Sequence, residues 1–134
     1  MNKTNVMVEF DIIGDMFPLD KVTEELSVAP SGKYVKGEPV TNRNGLVRKE
    51  TCWYVSTGYQ ESLDIGAQLN KIVGIFKNKI GELNLLQKEY DLEFKIFVVI
   101  RVENNQMPAI YLNAETIRFA HSINAEFDFD VYIH

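Results

Sequence analysis

The sequence predicts an α+β fold: a two-layer sandwich with a mixed, mostly antiparallel sheet and its helices packed on one face. Three observations predict it. Segments with a two-residue apolar period stand near the start, in the middle and at the end of the chain. One long stretch carries a helical period. The two kinds of segment do not alternate strictly, as a parallel α/β sheet would require.

Residues 5–13 alternate Val6, Val8, Phe10 and Ile12 with Met7, Glu9, Asp11 and Ile13, and Gly14 closes them as a first strand. Pro18 suits the start of a helix, Asp20 places an acid near its positive end, and Pro30 follows it, so a short helix is expected over 19–28. Glycines, prolines and "TNRNG" make 31–45 a loop with a basic edge, interrupted by a brief strand near 33–36. In "LVRKETCWYVSTG" the residues Val47, Trp53 and Val55 share one parity, which predicts a second long strand ending at Gly58 with Trp53 in the core.

From 62 to 90, Ile65, Leu69, Ile72, Phe76, Ile80, Leu83, Leu86 and Tyr90 hold one apolar stripe at steps of three or four. Gly74, Asn78 and Gly81 weaken its middle, so a break is expected near Asn78. "DLEFKIFVVIRVE" returns to a period of two with both sides apolar, as in a central strand. "AIYL" reads as a further strand, Asn113 as the N-cap of a helix through Ser122, and "AEFDFDVYI" as the last strand.

With 134 residues, 46 % of them hydrophobic and 25 % charged, the chain is expected to fold as one domain, 1–134. Nineteen acidic against fourteen basic side chains give a net charge of −5, which argues against nucleic acid as a partner. A single cysteine, Cys52, makes no internal disulfide, and the cytoplasm is the expected compartment. Glu9 and Asp11 interrupt the first apolar residues before an export signal forms, and Ile96 to Ile100 is too short a run to cross a bilayer.

Five stretches in order, "FDIIG…PLDKVTEEL", "KYVKGEPV", "CWYVSTG", the "LDIGAQL" helix and "AEFDFDVYI", resemble the bacterial family catalogued as domain of unknown function 4279. The similarity runs from about Val6 to Ile133. It implies a small α+β domain and carries over no activity, cofactor or catalytic residue.

The closing strand holds the candidate chemistry. Glu126, Asp128 and Asp130 lie on one side, roughly 6–7 Å apart, while Phe127, Phe129, Val131 and Ile133 lie on the other and are expected to pack under the helices. One reading has the acids in water or paired with Lys and Arg of adjacent strands. Another is an acidic docking face, which Glu9 and Asp11 extend if the first and last strands are neighbours. A metal site on one straight strand lacks converging ligands, and a carboxyl pair for hydrolysis lacks a visible cleft. No phosphate loop or serine elbow is present, Cys52 has no histidine near it in sequence and reads as a small buried hydrophobe, although the fold could still bring His121 or His134 to it, and no cofactor is expected.

The preferred function is therefore a non-enzymatic binding module whose open sheet face, with Glu9, Asp11, Tyr54, Arg101, Asp128, Asp130 and Tyr132, meets a basic protein, as immunity or antitoxin proteins do. The alternative is a small ligand- or metal-binding protein or hydrolase using the Asp128/Asp130 carboxylates. If the two sides of the last strand divide as expected, Phe129→Ala costs about 3–5 kcal/mol and Asp128→Asn or Asp130→Asn about 0.5 kcal/mol or less.

Overall fold

The computed structural model describes residues 2–134 and has the α+β architecture. Its elements are β1 (Asn5–Gly14), α1 (Leu19–Leu26), β2 (Gly32–Tyr34), β3 (Thr51–Ser56), β4 (Gln60–Glu61), α2 (Ile65–Phe76), α3 (Ile80–Tyr90), β5 (Glu93–Val102), α4 (Ala114–Ser122) and β6 (Glu126–Ile133). The strands form one sheet in the order β2-β3-β1-β5-β6, with the short β4 also on β1. Every pairing is antiparallel except β5 with β6. Chemistry fixes that exception: α4 lies between these strands, and a helical crossover delivers the chain back in the same direction, whereas a tight turn reverses it.

One parity of each inner strand faces the helices. Val6, Val8, Phe10 and Ile12 of β1, Trp53 and Val55 of β3, and Phe94, Ile96, Val98, Ile100 and Val102 of β5 join Leu69, Ile72, Val73, Phe76, Leu83 and Phe119 of the helices in one apolar cluster. Phe10 is its hub, with ring centroids 4.6 Å from Phe76 and 5.7 Å from Phe94. Trp53 is wholly buried, and its indole N–H reaches Thr23 Oγ1 on α1 at 3.0 Å, so its polar edge costs little to bury.

The long helical stripe breaks at 77–79, where Lys79 N–H turns back to Phe76 O, leaving α2 and α3 as separate helices on the same core. Asn113 caps α4 as expected, its side-chain oxygen accepting from Thr116 N–H at 2.8 Å. Two expectations fail. The strand before Gly58 begins only at Thr51: Leu46 and Val47 are exposed, and Val47 instead bridges Pro39 in a small separate hairpin. "AIYL" is not a strand, because only Ala109 makes a bridge, to Asp64 ahead of α2.

The third difference concerns β6. Phe127 is half-buried, but Phe129 is 39 %, Val131 44 % and Ile133 72 % exposed. They do point to the helix side, opposite Val98, Ile100 and Val102. Being on the last strand of the sheet, however, they reach past the edge of the helix layer. Side-chain parity sets the face of a sheet, and strand order sets whether anything covers it.

Candidate functional site

The sheet face away from the helices collects every residue expected to bind, but not as one surface. Across it the register runs in rows: Asp11 of β1 opposite Lys95 of β5, which is opposite Glu126 of β6; Glu9 opposite Phe97, then Asp128; Met7 opposite Val99, then Asp130; Asn5 opposite Arg101, then Tyr132. β5 thus separates the acids of β1 from those of β6. The expected continuous acidic row from Glu9 and Asp11 to Asp128 and Asp130 does not form, because the first and last strands are not neighbours.

Asp11 departs furthest from expectation. It is only 7 % exposed, and Cys52 Sγ lies 3.5 Å from its Oδ2, while Oδ1 has no hydrogen-bond partner among the described residues. Burial, first, and then the adjacent Glu9 carboxylate push the Asp11 carboxyl up to about 8. The shift favours the protonated form, which loses less on burial than a carboxylate would. The same burial pushes the Cys52 thiol and the Tyr34 hydroxyl upward, so Cys52 is a poor nucleophile. Asp11 is a buried carboxyl whose charged form is disfavoured, in contrast to the exposed acids of β6.

Tyr54 is half-buried, opposite Asp11 on one side and Gly32 on the other, and its ring fills the space that a side chain at position 32 would need. Burial raises its hydroxyl above the ordinary value. Arg101 is exposed, with its guanidinium 3.7 Å from the centroid of the Tyr59 ring, a cation–π contact. Arg101 and Tyr132 line a groove of about 640 Å³ with Asn2, Lys3, Asn5, Glu61, Glu103 and His134. Its walls carry both signs of charge and little apolar surface, unlike the mostly apolar pocket that a small-molecule site presents.

Glu126, Asp128 and Asp130 are exposed, and among the described residues none has a basic partner within ion-pair distance. Lys95, directly opposite Glu126, turns instead to Glu93 at 3.8 Å. Neither Asp128 nor Asp130 lines the groove beside Arg101. Among the described residues no three His, Cys, Asp or Glu side chains converge closely enough to hold a metal ion, and no helix is long and apolar enough to cross a membrane.

What the sequence reading missed is the free edge of β6. Only part of it had a signal: the helix between β5 and β6 makes them parallel, whereas the strand order that leaves the other flank of β6 without a described strand is not readable from the sequence.

Comparison with known proteins returns one finding. The family model described as domain of unknown function (DUF4279) matches residues 2–134. No curated protein and no solved structure matches.

Proposed function

The chain belongs to the DUF4279 family, a domain of unknown function, and from the geometry of its sheet we propose that it is a non-enzymatic protein-binding module that recognises a basic partner. The observation that carries this reading is that β6 ends the sheet with both of its sides open: unpaired carboxylates on one, exposed Phe129, Val131 and Ile133 on the other. Exposed apolar side chains contiguous along a strand are costly to leave in water, and acids without partners draw a complementary charge.

The binding surface is centred on Asp128 and Asp130, with Glu126 and Tyr132 beside them. Glu9, Tyr54 and Arg101 lie inward of it, and Asp11 lies outside it. A cytoplasmic setting accords with a lone buried thiol, and an immunity- or antitoxin-like role accords with the size and acidity of the chain. The hydrolase or metal-site reading finds less support, since Asp128 and Asp130 are exposed and lie outside the groove beside Arg101.

The test is capture of partners from the native host with the wild-type chain and with an Asp128→Lys, Asp130→Lys double variant, each at low and high salt. The expected result is a basic protein retained by the wild type, released by salt and lost in the variant. Repeated recovery of no protein, or of acidic proteins only, counts against the reading. A neighbouring gene encoding a toxin with a basic C-terminal domain would strengthen it, and a metabolic operon would weaken it.

A further inference from the structure

β6 is bonded on one side only. His134 N–H donates to Val102 O at 3.0 Å, and a residue's N–H and C=O leave a strand in the same direction, so the even-numbered positions serve β5. The odd-numbered ones, Phe127, Phe129, Val131 and Ile133, therefore point their backbone groups away from the sheet. Among the described residues no other strand pairs with them.

Natural edges are usually blunted by charged side chains, lysine above all, by proline, a bulge or brevity, and of these β6 has only its three acids. "EFDFDVYI" has no proline, glycine or lysine, its register with β5 is unbroken from Glu126 to Ile133, and it is eight residues long. A strand laid beside it brings its side chains within about 4.5–5.5 Å of those of β6. On one side such a strand meets Glu126, Asp128 and Asp130, none of which has a cation of its own. On the other it meets the exposed apolar row.

We propose that β6 takes up an extended segment of its basic partner as a seventh strand, one in which Lys or Arg alternates with apolar residues. This rests on the protein-binding reading above and specifies its mode, strand addition with backbone hydrogen bonds supplying affinity and the alternating side chains supplying selection. A second copy of β6 fits less well. Antiparallel pairing about Phe129 sets Asp128 against Asp130, and pairing about Asp130 sets that carboxylate against itself, and like charges directly opposite are destabilising; pairing about Val131 opposes no two acids but engages only Phe129 to Ile133 of the strand.

The test uses the full chain and a synthetic peptide about as long as β6 in which Lys and Val alternate. Its controls are a peptide of the same composition with the lysines blocked at one end and one with Glu in place of Lys. Val131→Pro deletes an outward N–H while sparing the bonds to β5, an edge position where proline is tolerated, and Val131→Ala controls for the lost side chain.

The expected result is binding of the alternating peptide about tenfold tighter than the blocked one, a loss of about tenfold in Val131→Pro against a few-fold in Val131→Ala, and no binding of the Glu peptide. In the unmutated chain, where no folding defect can intervene, the peptide should slow hydrogen exchange at Phe129 and Val131 and leave Asp128 and Asp130 unchanged. Equal affinity for alternating and blocked peptides, with Val131→Pro behaving as wild type, overturns strand addition and leaves a charged docking surface intact. Failure of every basic peptide overturns it too, and partner capture then decides the broader reading separately. A dimer in sedimentation that Val131→Pro dissolves makes a second copy the occupant and the proposal wrong.

Discussion

The tripeptide Glu-Phe-Asp occurs twice, as Glu9-Phe10-Asp11 in β1 and Glu126-Phe127-Asp128 in β6, and the two copies lie on either side of β5. In β1 the phenylalanine is wholly buried and the aspartate nearly so. In β6 the phenylalanine is half-buried and the aspartate is in water. Local sequence and strand parity are the same, so neither explains the difference. β1 has β3 on one flank and β5 on the other, whereas β6 has β5 alone. Flanking strands bring neighbouring side chains that exclude water from both faces, and an edge strand has half of them.

Substitution of Phe10 in β1 and of Phe129, the more exposed phenylalanine of β6, should show the largest contrast. Phe10→Ala removes the ring at the hub of the core and should cost about 3–5 kcal/mol in denaturant melts. Phe129→Ala, which sequence parity alone places in the same class, should cost about 1–2 kcal/mol because the ring is already partly in water. Equal costs would mean that the edge of β6 is covered.

The aspartates should differ next, and through pH. An unfolded Asp11 ionises near its ordinary value of 3.8 and the folded one only at about 8, so between those values the folded chain holds a proton that the unfolded chain has lost. Stability should fall as pH rises through that window, by up to about 1.4 kcal/mol per pH unit, and level off above it. Asp11→Asn should flatten the slope, so that its advantage over the wild type in the same melts grows as pH rises towards 8. Parallel curves for the two proteins would remove Asp11 as the cause. Asp128→Asn and Asp130→Asn should change stability by about 0.5 kcal/mol or less, the smallest effect, while weakening capture of a basic partner.

Much of the fold was legible because periodicity records which face of an element is buried. The stripe from Ile65 to Tyr90, the cap at Asn113 and the alternation in β1 and β5 all fall where their patterns put them. The misreadings share one physical origin. Leu46, Val47 and the "AIYL" stretch carry strand-like residues that no neighbouring strand takes up, and strand propensity without a partner makes no sheet. The site was half legible for the same reason. The alternation of "EFDFDVYI" separates acids from apolar residues correctly, but only the order of strands reveals that Phe129 is exposed, that β5 parts Glu9 from Asp128, and that Asp11 is buried beside Cys52.

The central claim is that β6 is a regular strand with one free edge, and residue-resolved amide hydrogen exchange on the unbound chain tests it most directly. In β1, flanked on both sides, consecutive amides from Val8 to Ile12 should all exchange slowly. In β6 protection should alternate, with Asp128, Asp130 and Tyr132 slow through their bonds to β5 and Phe127, Phe129, Val131 and Ile133 fast. Uniform protection along β6 would show its outer edge already paired, and uniform fast exchange would show no stable strand there; either result contradicts the account.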